Sequence, residues 1–318
     1  MPEPGEIQLS AATTSEPRAL DPNVGAIGGQ ALVEGVMMRT GSAWAAAVRC
    51  DDGSITTTVQ GLPPLDKWRK VPLARGVLAL VESVRLGIGA LIWATNERSS
   101  DPAEQLSKRG AVLSVLIAAV GALVIFGVGP AAVANLTAQH SSIAFNALEG
   151  ALRLALLFGY LLLLRRSPEM RRTFAYHGAE HMTIHALEHG DPLEIASIRK
   201  YDRRHPRCGT SFLVITALVA IVAFTFLGRP PWPELILSRI IGIPVVAGIS
   251  YEVIRFAGKH RHSWFGRVLS VPGNAVQSIT TQEPDDSQIE VAIAAIEAVL
   301  GRREAPPAGA PLAEAAQP

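Results

Sequence analysis

Gly110 to Ala138 reads GAVLSVLIAAVGALVIFGVGPAAVANLTA, a run without one charged side chain. In hydrocarbon only a closed barrel or a helix satisfies the backbone N–H and C=O groups, and about twenty apolar residues in a helix suffice to cross. The run therefore predicts a spanning helix and sets the class of the chain: mainly α, a polytopic membrane bundle. Composition agrees. The 318 residues are 48% hydrophobic and only 18% charged, too apolar for an ordinary soluble enzyme.

Further spans follow the first. Phe145 to Leu164 is the second and ends in Arg165-Arg166, with Glu149 and Arg153 inside it one turn apart and placed to pair. Thr210 to Leu227 is the third, and Leu235 to Phe256 the fourth, joined by the short loop Gly228 to Glu234 with Trp232 at the interface. Pro72 to Ala94 is apolar too, but it carries Arg75, Glu82 and Arg85, and basic residues flank it on both sides. Mid-span charges cost about 2.5–3.5 kcal/mol each on insertion scales, so residues 67–109 are expected to form an amphipathic helix at the membrane interface. About four spans then occupy residues 110–256. Counting Pro72 to Ala94 as a fifth would move only the N-terminal β unit to the other side.

Basic residues set the orientation. Lys108 and Arg109 precede span one, and Arg165, Arg166, Arg171, Arg172, Arg199, Lys200, Arg203, Arg204 and Arg207 fill the connection between spans two and three. Arg255, Lys259, Arg261 and Arg267 follow span four, while the other two connections are nearly free of Lys and Arg. The positive-inside rule places both termini and this connection in the cytoplasm of a plasma-membrane protein. No apolar h-region opens the chain, so no cleaved signal peptide is expected. Two distant cysteines, Cys50 and Cys208, give no disulfide framework and fit a reducing compartment. A net charge of +1 gives no basic field for nucleic acid.

The flanks are smaller units. Residues 1–22 and 302–318 are expected to be disordered tails. Residues 23–66 read as a small β unit: GGQALVEGVMMR from Gly28 to Arg39, then Ala43 to Arg49 and Ile55 to Val59 around the turn Asp51-Asp52-Gly53-Ser54. Gly28 and Gly29 are assigned to tight turns. Residues 257–301 form a cytoplasmic segment in which Val271-Pro272-Gly273-Asn274 reads as a turn. Gln277 to Glu283 is polar and placed to contact the site, and Asp285 to Leu300 is an amphipathic helix capped by Asp285 or Asp286.

Chemistry concentrates in the connection between spans two and three. Ser167-Pro168-Glu169 is a helix start and Gly190-Asp191-Pro192 a stop, predicting a helix over 168–189 with Phe174, Ile184 and Leu187 toward the bundle, and a shorter one over Leu193 to Tyr201. Along the first helix runs His177-Gly178-Ala179-Glu180-His181, the H-x-x-E-H arrangement, and five of the eight histidines lie between His177 and His205. His177 and His181, one turn apart, can hold one divalent metal, with zinc the best match, and Glu180 is the candidate catalytic base. The plainer reading of the stripe is a polar helix face, and of Glu180 a carboxylate that orients a histidine. A catalytic zinc takes about three protein ligands, and His205 and Cys208 of His205-Pro206-Arg207-Cys208 are the candidates for the third; Cys208 can equally be a small packed residue. His185 is a candidate donor supporting the ligands. Glu252 is a possible ligand or acceptor, or a salt-bridge partner of Arg255 or Arg239, and Glu34 is a weaker candidate. His189 suits the helix C-terminus for reasons of dipole alone. His140, His260 and His262 carry no assignment.

GGQALVEGVMMR, YHGAEHMTIHALE, HPRCGTSF, Tyr251-Glu252 and PGNAVQSITTQEPDDSQIEVAI, in this order from Gly28 to about Leu300, resemble the bacterial DUF1385 family of YqhQ-like membrane proteins. The resemblance implies a predicted metal-dependent enzyme with several membrane helices and assigns no reaction. One departure is Met182, where the family commonly has Lys. The function expected is a metal-dependent membrane hydrolase acting at the cytoplasmic face on a peptide or lipid-like substrate, with membrane lipids as its surroundings. The alternative is a non-catalytic membrane protein whose histidines hold a structural metal or whose bundle scaffolds a partner. A transporter fits less well, because spans one and three carry no charge.

Overall fold

A computed structural model of the chain describes residues 27–63, 70–98, 105–137, 141–206, 208–228, 231–260 and 263–301. The tails expected at 1–22 and 302–318, together with His140, Arg207 and His262, lie outside the described residues. The chain is mainly helical, with one small N-terminal sheet.

The sheet is a four-stranded antiparallel meander in the order β1 (Gly28–Leu32), β2 (Gly35–Arg39), β3 (Ala43–Arg49) and β4 (Ile55–Gly61). Gly53, at φ +85°, turns the chain between β3 and β4. Both faces are covered, which explains why β2 and β3 are apolar throughout rather than alternating. Val36, Met38, Ala45 and Ala47 point to one face, and pack with Tyr176, Ala179, Met182, Ile289 and Ile296. Met37, Trp44, Ala46 and Val48 point to the other, and pack with Ala90 and Ala94.

That second cover is α1 (Ala74–Arg98), the segment expected at the membrane interface. By length and composition five helices among the described residues could cross a membrane, α1 included, rather than the four expected. Two of the three charges that argued against it are paired: Arg75 Nε donates to Glu252 Oε1 at 2.6 Å, and Glu82 Oε2 accepts from Arg39 Nη2 at 2.5 Å, while Arg85 is exposed. The first of these pairs ties α1 to α8 (Trp232–Lys259), and the second ties it to the sheet.

The uncharged run is α2 (Lys108–Ala122), a π-helical turn at Leu123–Val128 and α3 (Gly129–Thr137). Pro130 has no N–H to give to the carbonyl four residues back, which is that of Phe126. Arg153 of α4 (Ser142–Leu164) supplies that bond from Nε at 2.9 Å. The same guanidinium donates from Nη2 to Glu149 at 2.6 Å, as the spacing predicts, and Arg239 donates to the other oxygen of Glu149 at 2.6 Å. The bundle is completed by α7 (Thr210–Leu227), α8 (Trp232–Lys259) and α9 (Trp264–Thr280).

Between α4 and α7 lie α5 (Pro168–His189) and the single turn α6 (Ile195–Ile198), shorter than the helix expected over Leu193 to Tyr201. The last helix is α10 (Asp286–Gly301), capped by Asp285, whose Oδ1 accepts from Gln288 N–H at 3.0 Å. Two expectations are corrected. Ile184 and Leu187 pack on the sheet and α10 rather than on the membrane bundle. Val271-Pro272-Gly273-Asn274 is helical within α9, because that helix lies along α7, where Gln277 Nε2 donates to Ser211 Oγ at 3.2 Å. Tertiary packing there overrides local turn chemistry.

Candidate metal centre

α5 starts and stops where its local chemistry requires. Ser167 Oγ accepts from Met170 N–H at 3.3 Å, Pro168 takes the first helical position, and Gly190 closes the helix in the left-handed region at φ +76°. Tyr176, Ala179 and Met182 face the sheet, so the stripe of His177, His181 and His185 faces Arg203 and Arg204 of the incoming segment, Cys208, and the end of α9.

The stripe is not a solvated helix face. A Cβ on Gly178 would lie 2.1 Å from the carbonyl oxygen of Gln282, so only glycine lets the chain after α9 cross α5 at this level. Gln282 N–H donates to the Phe174 carbonyl at 2.8 Å and fixes the crossing. The crossing brings the Thr280 carbonyl to His177, whose Nδ1–H donates to it at 2.9 Å. His181 Nδ1–H likewise donates to the Arg203 carbonyl at 2.6 Å. A carbonyl can only accept, so both imidazoles are held in the tautomer with the lone pair on Nε2.

Those lone pairs meet Cys208. Its Sγ lies 3.2 Å from His177 Nε2, and ligand atoms of His177, His181 and Cys208 all fall within 4.8 Å of one another. His181 Nε2 is buried and has no hydrogen-bond partner among the described residues. Backbone carbonyls fixing Nδ1 while Nε2 faces a thiol is how metal-binding histidines are commonly oriented. Burial holds the His181 imidazole neutral, with its pKa down at about 2, and raises that of the Cys208 thiol. The donor set therefore fits a borderline divalent ion such as zinc.

Glu180 lies on the sheet side of the same turn. A Cβ on Gly29 would meet its Oε1 at 2.7 Å and the Met37 carbonyl at 2.7 Å, so Gly29 serves close approach within β1 and not a tight turn as expected. Its Oε2 is buried without a partner. Burial raises the Glu180 pKa to about 8, opposed by the charge of His177 and reinforced by that of Cys208.

The four ligands expected from sequence divide into two groups. Cys208 joins His177 and His181, whereas His205 joins His185 and Glu188, whose ligand atoms also lie within 4.8 Å of one another. Burial lowers the His205 pKa to about 4 and lowers that of His185. His205 is held by its backbone: its N–H donates to Gln277 Oε1 at 2.7 Å and its carbonyl accepts from Gln277 Nε2 at 3.0 Å. Gln277 and Thr280 thus place the polar stretch after the fourth span at the site, where the sequence had put it. Glu188 was missed, although the signal was present: H-x-x-E-H recurs at His185-Ala186-Leu187-Glu188-His189. His189 turns away, with Nδ1–H donating to the His185 carbonyl at 2.8 Å.

Glu252 and Glu34 stand apart from both groups. Glu252 pairs with Arg75, not with Arg255 or Arg239, because α1 packs against α8 there. Glu34 sits in the β1–β2 turn at φ +51° and accepts from Arg172 Nε at 2.7 Å and from Tyr176 Oη at 3.2 Å. It docks the sheet on α5 rather than binding an ion.

The chain resembles known proteins over most of its length. It is similar to "Uncharacterized protein YqhQ" of Bacillus subtilis (strain 168), 34% identical over 293 residues, which are 86% of this chain and 92% of that relative. No solved structure matches it. A family model described as "Protein of unknown function (DUF1385)" matches residues 71–302, and with that coverage the chain belongs to the DUF1385 family.

Proposed function

We propose that the chain is a metal-dependent membrane enzyme, a hydrolase acting at the cytoplasmic face on a peptide or lipid-like substrate. The observation that carries this reading is the cluster of His177, His181 and Cys208 ligand atoms, all within 4.8 Å of one another, in which His181 Nε2 is buried with no hydrogen-bond partner among the described residues; Glu180 Oε2, on the preceding residue of α5, is buried and unpartnered as well. Such an atom costs about 1–3 kcal/mol if nothing binds it, so an orphaned imidazole nitrogen inside a cluster of ligand atoms implies a bound ion. His177, His181 and Cys208 would hold a divalent ion. When bound, the ion supplies a positive charge that makes a water acidic near neutral pH. Glu180 takes up the proton at its carboxylate, and the sheet behind it excludes bulk solvent. The tautomers set by the Thr280 and Arg203 carbonyls keep both imidazoles pointed at the centre throughout.

Membrane insertion is part of the proposal. It is supported by the four long apolar helices that follow α1 and by exposed Leu116, Ile117, Val120 and Val124 on the uncharged run, a surface suited to lipid, while the packing of the sheet on α5 keeps the N-terminal unit on the side of the site. The arginines from Arg165 to Arg204 argue for a cytoplasmic site and cytoplasmic termini.

A second reading, a structural ion that scaffolds the fold, is favoured by the enclosure of the centre: His181 is 1% exposed and Glu180 3%. Purified protein should contain stoichiometric metal that the double replacement His177→Asn, His181→Asn removes; metal content unchanged in that variant would refute the centre. Glu180→Gln separates the two readings. A hydrolase keeps its metal and loses turnover of whichever peptide or lipid ester it cleaves in a substrate panel, whereas a scaffold keeps both its metal and its partner binding.

A further inference from the structure

We infer that the chain holds a second divalent cation, at His185, Glu188 and His205, beside the first centre. The first observation is the repeat in α5. His185-Ala186-Leu187-Glu188-His189 reproduces the H-x-x-E-H spacing two turns further on. The repeat is used differently: Glu188 closes with His185 and His205, and their ligand atoms lie within 4.8 Å of one another.

The second observation is that the ring of one histidine and the backbone of the other are held by groups that take no part in binding. His185 Nε2–H donates to the Arg204 carbonyl at 3.0 Å, which leaves its lone pair on Nδ1. His205 is 3% exposed, and the side-chain amide of Gln277 clamps its backbone on both sides. A glutamine buried to hold one histidine in place is the support that a preorganised ligand needs. The His205 and His185 rings lie 4.5 Å apart between centroids, and Glu188 Oε2 stands 3.5 Å from His205 Nε2, a separation that two ligand atoms of one ion also adopt.

The third observation is the contrast with the first centre. Two imidazoles and a carboxylate make an N2O donor set with no thiolate, suited to zinc but also to harder ions such as manganese. Glu188 is 28% exposed at its side chain, so this position is open to solvent and exchange, whereas the centre with Cys208 is enclosed. The two are neighbours: the His181 and His205 rings are 5.8 Å apart between centroids. The open centre is therefore where a substrate oxygen would reach an ion, with the enclosed one behind it. The inference uses none of His177, His181 and Cys208, so the two centres can fail separately.

Cobalt titration tells them apart, because a thiolate ligand gives Co2+ an intense charge-transfer band that nitrogen and oxygen ligands do not. Full-length protein in detergent, stripped by chelator, should take up two equivalents of Co2+, only one of which raises that band. Glu188→Gln and His185→Asn should each reduce uptake to one equivalent with the band intact, which also shows that the fold is intact. Cys208→Ser should remove the band and leave one equivalent. If the unaltered chain takes up a single equivalent that Glu188→Gln and His185→Asn leave in place, or two that both variants leave at two, the second centre is overturned. A single equivalent without the band, lost in Glu188→Gln, would support the second centre and refute the first.

Discussion

Gly178 and Gly29 carry a burden that their size conceals. Each marks a place where another part of the chain touches the backbone of an element, and each touch sets one half of the candidate centre. At Gly178 the obstacle is a backbone carbonyl, 2.1 Å from where a Cβ would stand, and backbone cannot swing aside as a side chain does. Gly178→Ala should therefore displace the segment after Thr280, detach His177 from its carbonyl, and cost about 1–3 kcal/mol in thermal unfolding, with metal affinity falling in parallel. A variant with unchanged melting and unchanged metal uptake would show that the crossing is looser than the geometry says. Gln277 offers a companion test. Gln277→Leu removes both side-chain bonds to the His205 backbone, leaving its carbonyl the Cys208 N–H at 3.2 Å, and should cost roughly 2 kcal/mol, while the cobalt band of the thiolate centre stays in place.

At the scale of elements, the packing of α4 and α8 depends on one carboxylate serving two guanidiniums. Glu149 accepts from Arg153 and Arg239, and Phe224 covers the Arg239 guanidinium at 3.9 Å from its ring centroid. Glu149→Ala would leave two buried cations without a counter-charge; removing one partner of a buried ion pair costs about 3–5 kcal/mol. The expected result is a large fall in melting temperature in detergent, and adding Arg153→Leu should recover part of it. The contact between the sheet and α5 depends on pH instead. Arg172 beside Glu34 holds that carboxyl below its ordinary value of 4.5, so the pair stabilises the folded state above that pH. The stabilisation is lost as pH falls through the lower folded-state pKa. Comparing melting of the unaltered chain with Glu34→Gln should show a gap at neutral pH that closes under acid conditions; a gap independent of pH would mean that the hydroxyl of Tyr176, rather than the charge of Arg172, holds Glu34.

For the molecule as a whole, the candidate centres lie at a junction of two layers. The sheet, α5 and α10 form one layer, and α7 and α9 bring Cys208, Gln277 and Thr280 to it from the bundle. An ion held by side chains from both layers binds only the assembled fold, so metal should raise the melting temperature by mass action. The stabilisation at 100 times the dissociation constant is about 2.7 kcal/mol per site. Chelator should reverse the shift, and Cys208→Ser should reduce it; a melting temperature that ignores both would separate the centre from the fold.

Much of this could be read from the chain alone, because it depends on near neighbours in sequence. The uncharged run, the caps of α5 and the Asp51–Ser54 hairpin are local, and the His177–His181 pair follows from the pitch of one helix. The sequence also supplied Cys208 as a possible third donor, but it could not choose between Cys208 and His205. That choice, the second grouping with Glu188, the pairing of Glu252 with Arg75 and the covering of the sheet by α1 all join residues tens to more than a hundred positions apart. Such contacts follow from which apolar faces bury against which. No local pattern encodes them, so only the tertiary structure decides where the lone pairs of the histidines meet.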